Sequence, residues 1–289
     1  MVDKANIVIA SDAAIDLQTH TVLSDGQWKA EELIQHFVDA GFALAAITDH
    51  DRVDTVATLQ HIAHEKNFNL LVATEMTTTW QGHMVDILCY GFDPDNEQLN
   101  ALTQDILERQ CDNSRKVYTY LCNQGVIPEH NESELDTILA EPAAQHVKSW
   151  LDLVAKYTQN QPDVSVGRLL GDAGFSYEMN DTKPVVDAIH GSGGVALIAH
   201  PGRGGEFLKF DKEALDTIRQ DIQLDGIEAY YPRHTTEQCE FFQAYADQHD
   251  LLVSSGSDSH TLEQPPIKYR AELSRKLLKR LGIEVQPAS

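Results

Sequence analysis

The sequence predicts an α/β fold, with a mostly parallel sheet or barrel interrupted by a helical insertion. Three observations predict it. Short apolar runs with the length and β-branched content of buried strands recur along both ends of the chain. Amphipathic stretches at helical spacing lie between them. From about Asn96 to Asp181 the strand runs disappear and only helical patterns remain.

In chain order the strand runs are "AAID" (13–16), "LAAIT" (44–48), "LLVAT" (70–74), "VDILCYG" (85–91), "GVALIA" (194–199), "GIEAYY" (226–231) and "LLVSS" (251–255). "KAEELIQHFVDAG" (29–41) is amphipathic and stops at Gly41, a helix C-terminal signal. "TVATLQHIAHEKN" (55–67) and "TEQCEFFQAYADQHD" (236–250) read the same way. In the middle, "LTQDILERQCDNSRKVYTYLCNQG" (102–125) predicts one long helix, and "ESELDTILA" and "HVKSWLDLVAKYTQ" predict two more. The expected organisation is an α/β part over 1–95, a helical insertion over 96–184, and a second α/β part over 185–289.

Composition narrows the function. The chain has 289 residues, 42% of them hydrophobic, enough for a buried core. No run of about 18 apolar residues occurs, so no membrane-spanning helix is expected. The N-terminus lacks a basic leader followed by a long apolar stretch. Four scattered cysteines, Cys89, Cys111, Cys122 and Cys239, fit reduced thiols in a cytoplasmic protein. The formal charge of −23 argues against non-specific binding to long duplex nucleic acid, since no basic surface would release counterions. It leaves room for a small anionic substrate if bound divalent cations reverse the local field.

The histidines and carboxylates then fall into a pattern. Gln18 and His20 follow the first strand run, with Asp25 just beyond. His50 follows the second and Glu75 the third. His83 precedes the fourth, His200 ends the fifth, and Asp258 and His260 follow the last. In a parallel α/β barrel the strand C-terminal ends converge on one face, where sites are built. Singly, each such histidine is more often a capped or surface residue, and "SDG" at 24–26 is also a turn. Jointly they are difficult to place by chance. Imidazole with carboxylate and no thiolate suits Zn, Mn or Fe. Eight residues exceed one ion and suit two or three. Five other histidines, His36, His61, His64, His130 and His249, fall within predicted helices or loops.

At these residues the chain resembles the PHP (polymerase and histidinol phosphatase) family of metal-dependent phosphoesterases. The matching pieces are "DLQTHTVLSDG", "ITDHD", "ATE", "GH" at 82–83, "IAHPGR" and "GSDSH". The insertion and the "AHPGR" wording are most similar to the branch holding bacterial nucleoside 3′,5′-bisphosphate phosphatases and a 5′→3′ exoribonuclease. The resemblance implies a distorted (β/α)7 barrel with two or three divalent ions: Mn, Fe, Zn or Mg. It places Gln18, His20, Glu75 and Asp258 on a first ion, Glu75, His83 and His200 on a second, and Asp25, His50 and His260 on a third.

Two departures accompany the resemblance. The family's first motif is His-x-His, and here it is Gln-x-His. A neutral amide oxygen is a poor partner for Zn and relatively favours Mn or Mg. An arginine that relatives carry before a helix-opening histidine corresponds to Ala144, two residues before His146.

Arg203, in "HPGR", is a candidate for bidentate phosphate recognition and for neutralising developing charge. His234, in "YYPRHTTE", is a candidate phosphate contact or proton donor to the leaving oxygen. Asn113 and Arg115, on the long helix, are further substrate-binding candidates, with Asp112 where relatives carry a basic residue. Trp80, Tyr177 and Tyr231 fit core positions better than base stacking. The leading expectation is a phosphoesterase hydrolysing a phosphate monoester of a nucleotide, through a metal-bound hydroxide. The substrate would be a nucleoside 3′,5′-bisphosphate or a 5′-phosphorylated short oligonucleotide. The alternatives are a catalytically impaired PHP-fold binding or regulatory protein, and a histidinol-phosphate phosphatase.

Overall fold

The structure, a computed structural model, describes residues 7–128, 132–161, 164–205 and 207–288. His130 lies outside the described residues. The chain forms two compact units. One comprises Met1–Asn100 with Asn180–Ser289, the other Ala101–Met179.

The first unit is α/β. Each of the seven strand runs carries a strand: β1 (Ala14–Asp16), β2 (Leu44–Ala46), β3 (Ala73–Trp80), β4 (His83–Tyr90), β5 (Val195–Ile198), β6 (Gly226–Tyr230) and β7 (Leu252–Ser255). β7, β6, β5, β4 and β3 follow one another in a sheet that ends on Asn180–Asp181. β1 and β2 lie in a second sheet, between Tyr269–Arg270 and Leu70–Leu71. Val8–Ala10 pairs with Glu284–Gln286 in a third. Two isolated parallel bridges, Thr19↔Ser259 and His50↔Glu75, link the two larger sheets just beyond the ends of β1, β2 and β7. β1 and β2 are parallel, as are β5, β6 and β7.

β4 departs from the parallel expectation, running antiparallel to both neighbours. The reason is local. Gln81 and Gly82 both have positive φ, 51° and 81°, forming a two-residue hairpin turn of the kind that matches strand twist. β3 also runs on to Trp80, past the apolar run, through threonines whose branched side chains suit a strand.

Strand alternation divides the packing. Leu44 and Ala46 of β2 join Ile15, Leu17, Leu88, Tyr90 and Leu197 in one buried cluster. Ala45 and Ile47 face the other way, onto Leu33, Ile34 and Phe37 of the helix Ala30–Ala40 and onto Leu59 and Ile62 of the helix Val56–Glu65. Strands covered on both faces read as continuous apolar runs, which is why these were visible in the sequence. The helix Ala30–Ala40 ends at Gly41 in the left-handed conformation, φ 76°.

The second unit is helical: most of Glu97–Asn123, then Glu132–Leu139, Gln145–Thr158 and Val166–Asp172. The last was not expected from the sequence. Val117, Leu121, Ile138, Trp150, Val154 and Leu170 form the core of this unit. No helix among the described residues is long and apolar enough to cross a membrane.

Candidate metal centre

His20 is fully buried, and its Nε2 lies 3.1 Å from Glu75 Oε2 and 3.3 Å from Asp258 Oδ1. Gln18, two residues earlier on the same face, is equally buried and donates its amide to Glu75 Oε2 at 2.9 Å. His200 Nε2 reaches the other oxygen, Glu75 Oε1, at 3.2 Å. Glu75 is therefore the hub. The parallel bridge to His50 fixes its height along β3, where its side chain meets groups arriving from β1, β2 and β5.

Three groups of ligand-type atoms lie close enough together to hold an ion: His20, Glu75 and Asp258; His50, Glu75 and Asp86; and His20, Asp25, His50 and His260. In the last, the His20 ring stacks on His260, centroids 3.9 Å apart, and on His50 at 4.7 Å. Two of these histidines have their Nδ1 engaged. His50 Nδ1 is 3.0 Å from Thr77 Oγ1, and His260 Nδ1 is 2.9 Å from the Asp258 carbonyl. With Nδ1–H donated to oxygen, Nε2 keeps its lone pair for a cation.

His83 does not join the cluster. It is exposed beside the hairpin turn and pairs with Trp80. Parity decides this. Glu75 and Thr77 share one face of β3, and opposite them in the antiparallel register stand Leu88 and Asp86. His83 falls opposite Trp80, on the other face and several residues further along. Asp86, and not His83, stands beside His200, 3.5 Å from its Nε2. A lone acid inside the apolar run "VDILCYG" was the available signal. Accordingly, His83→Ala should leave bound metal and turnover within about twofold of the unaltered chain, as surface changes commonly do. Loss of an ion in elemental analysis would refute this placement.

Glu228 is a second residue that the sequence reading did not single out. It is wholly buried, and its Oε2 accepts the His200 backbone N–H at 2.9 Å. His200 has φ 28° and Asp258 φ 54°, a backbone region that non-glycine residues avoid. A Cβ at Gly256 would lie 2.4 Å from Gln18 Cβ, so only glycine lets the chain after β7 pass Gln18.

The electrostatics suit cations. Among the described residues, Arg203 is the one Arg or Lys paired with any of Glu75, Asp86, Glu228 and Asp258, at 3.8 Å from Asp258. Burial raises the Glu75 pKa, but the imidazoles of His50, His20 and His200 outweigh it and hold the carboxyl well below its usual range. Asp86 moves the opposite way, through burial and then the neighbouring Glu75 charge. Gln18 Oε1, His20 Nδ1, Asp86 Oδ1 and Glu228 Oε1 are buried without a hydrogen-bond partner, and His20 Nε2 and Asp258 Oδ1 have ion-pair neighbours but no hydrogen bond of good geometry. So many orphaned lone pairs in one place are costly unless something else satisfies them. A divalent cation fits that description, and the donor set is nitrogen and oxygen with no thiolate.

The substrate candidates fare differently. Arg203 sits over Phe207, its guanidinium carbon 4.3 Å from the ring centroid, beside the cluster. His234 has both nitrogens engaged: Nδ1 with the Ala229 carbonyl at 3.0 Å and Nε2 accepting from the Gly202 N–H at 3.0 Å. It ties the Gly202 loop to the end of β6 and has no nitrogen left for phosphate. In the helical unit, Asn113 is occupied by Gly174 and Ser176. Arg115 is exposed and paired with Asp112 at 2.8 Å. His146 is buried and bonded to Ser114 Oγ. Trp80 and Tyr231 are buried, Tyr231 donating to Asp258 Oδ2 at 3.4 Å.

An α/β unit that gathers imidazoles and carboxylates beyond its strand ends has the donor set of the class of metal-binding α/β scaffolds. Comparison with known proteins sharpens that class. No family model matches the chain. It is 29% identical over 265 residues to a 3′,5′-nucleoside bisphosphate phosphatase of Chromobacterium violaceum, covering 86% of this chain and 87% of the relative. It is 27% identical over 287 residues to the 5′-3′ exoribonuclease Rnm of Escherichia coli, covering 93% and 91%. A solved structure from Bifidobacterium adolescentis classed as a metal-dependent phosphoesterase superposes with TM-score 0.72 at 24% identity, covering 93% of this chain and 96% of that one. A two-domain Bacteroides vulgatus protein with a PHP-like metal-dependent phosphoesterase part gives TM-score 0.50 at 12% identity, covering 91% and 58%. These relatives are thus named a nucleoside bisphosphate phosphatase and exoribonucleases; of the structural neighbours, one is described as a metal-dependent phosphoesterase and one as containing a PHP-like metal-dependent phosphoesterase.

Proposed function

We propose that the chain is a PHP-type, metal-dependent phosphoesterase acting on a nucleotide: a nucleoside 3′,5′-bisphosphate or a 5′-phosphorylated short oligonucleotide. The observation that carries this is Glu75, whose two oxygens are addressed from opposite sides by His20 and His200. The seven strands and the two bridges beyond their ends support a distorted (β/α)7 barrel as the scaffold.

An imidazole Nε2 has one lone pair and serves one ion, whereas a carboxylate can serve two. Taken with the PHP resemblance, and with Asp86 in the place of His83, the overlapping groups are assigned to three sets, His200 joining through its contacts with Glu75 and Asp86. Gln18, His20, Glu75 and Asp258 would hold one ion; Glu75, Asp86 and His200 a second; Asp25, His50 and His260 a third. When bound, divalent cations supply Lewis-acid polarisation of phosphoryl oxygens and an acidic water at neutral pH. Gln18 and Asp86 make the inner sets oxygen-rich, which favours Mn or Mg over Zn. Arg203 binds the phosphate in a bidentate manner, its guanidinium already held over Phe207. A chain of charge −23 suits a small nucleotide better than long duplex nucleic acid.

A second reading, a binding or regulatory protein of impaired activity, is favoured by one observation. Gln18 turns its N–H₂ toward Glu75 and so occupies an oxygen that the first ion would need. The test for both is phosphate release from adenosine 3′,5′-bisphosphate with added Mn, with histidinol phosphate as the control. Release that disappears in His50→Ala supports the enzyme. Ongoing release in His50→Ala under chelation would sink the metal mechanism, and two to three bound ions without release from any nucleotide would favour the second reading.

A further inference from the structure

Asp49 immediately precedes His50 and is buried, yet it belongs to none of the three groups of metal-ligand atoms. Its carboxylate instead accepts three hydrogen bonds from the loop that carries Asp25. The Thr21 backbone N–H donates to Oδ1 at 2.7 Å, the Thr21 hydroxyl to Oδ2 at 2.7 Å, and the Ser24 hydroxyl to Oδ1 at 2.8 Å. Its carbonyl accepts from Thr74 Oγ1 at 2.9 Å, next to Glu75. One residue thus ties the loop before Asp25 to His50 and to the start of the Glu75 segment.

The same loop has a second restraint from the same segment. Arg52 donates to the Leu23 carbonyl at 2.7 Å while its other nitrogens pair with Asp54. Within the loop, Leu23 N–H donates to Thr21 Oγ1, and Ser24 Oγ reaches Asp25 Oδ1 at 3.3 Å. Ser24 therefore connects Asp49 directly to a ligand carboxylate. Asp25, His50 and His260 are also only half-buried, whereas Glu75 is wholly buried. The outer set depends on a loop, while the inner sets depend on strand ends.

We propose that Asp49 is the positioning residue of the outer set: it holds Asp25 against His50 and His260, and so sets the affinity of one cation while leaving the inner ions alone. The proposal rests on the metal-centre reading given above. A carboxylate is the side chain that accepts all three bonds at once; an asparagine retains the two to its Oδ1 and turns a donor toward the Thr21 hydroxyl. Residues that orient ligands without touching the ion typically change its affinity about 10- to 100-fold.

The test is titration of the metal-free full chain with Mn(II), counting free ion by electron paramagnetic resonance, alongside thermal melting of each metal-free variant. Asp49→Ala is expected to weaken one binding class about 10- to 100-fold and leave the others within threefold. Ser24→Ala, which removes a single bond, should weaken the same class by less, and Asp49→Asn should retain most of the affinity. If Asp49→Ala does not fold, Ser24→Ala and Asp49→Asn carry the test alone. Unchanged Mn binding in Ser24→Ala and in the folded Asp49 variants overturns this inference, as does equal weakening of every class. A metal-free melting temperature matching the unaltered chain, together with the loss of one class, separates positioning from general damage. If the unaltered chain itself binds no Mn, the metal-centre reading fails, and this inference with it.

Discussion

Glu75→Gln is expected to remove both inner ions and to lower phosphate release by about 10³-fold, the scale on which a lost electrostatic element at a reacting centre registers. The substitution is nearly isosteric, so the packing of β3 against β4 survives. What changes is charge. Among the described residues, Glu75 is the one carboxylate approached by three imidazoles, from His20, His50 and His200. An amide in its place offers one oxygen, so it cannot serve two cations, and its N–H₂ would face ligand nitrogens. The measurement is metal per chain by elemental analysis together with steady-state kinetics. Wild-type metal content with wild-type turnover would remove Glu75 from the centre of the site. Loss of activity at full metal content would instead show that Glu75 acts on the substrate and not as a shared ligand.

The second large effect is expected from Gln18→His. In the native arrangement the amide donates to Glu75 and leaves its oxygen buried without a partner. An imidazole there would present a nitrogen lone pair to the ion and free the Glu75 oxygen. The first ion should bind about 10- to 100-fold more tightly, with the gain larger for Zn than for Mn because imidazole is the softer donor. Turnover should rise if occupancy of that ion limits it. Isothermal titration with each metal provides the check. Equal Zn and Mn affinity before and after substitution would mean that residue 18 is not a ligand. The residue is fully buried, with Gly256 backbone against it, so both side chains have to meet the same neighbours.

How far the sequence reached can be traced through individual residues. Strands covered on both faces leave an uninterrupted apolar trace, and β2, β5 and β7 were visible for that reason. Ligand-type residues just past such traces stand out because carboxylates and imidazoles are uncommon beside buried apolar runs. His20, Asp25, His50, Glu75, His200, Asp258 and His260 were legible in this way. Direction was not legible. Nothing in an apolar run says which way a strand points, and the "QG" at 81–82 reverses β4. That reversal decides which residues of the segment share a face with Glu75, so Asp86 joins the cluster and His83 does not. Asp86 and Glu228 were also hidden by their setting, each being one acid within an apolar strand. His234 looked available because a sequence shows no hydrogen bonds. Its two are both to backbone groups.

Two of the turns at the candidate centre carry a further implication. His200 and Asp258 hold left-handed backbone conformations that glycine would adopt freely. A non-glycine residue in that region costs on the order of 1–3 kcal/mol. Two such positions consume an appreciable part of the net stability of a typical domain, which is about 5–15 kcal/mol. A chain optimised for thermal endurance would exchange both for glycine. This one keeps an imidazole and a carboxylate there, so part of its folding free energy goes into holding two side chains in the candidate centre, and on the proposed function it is at these two turns that durability and chemistry compete.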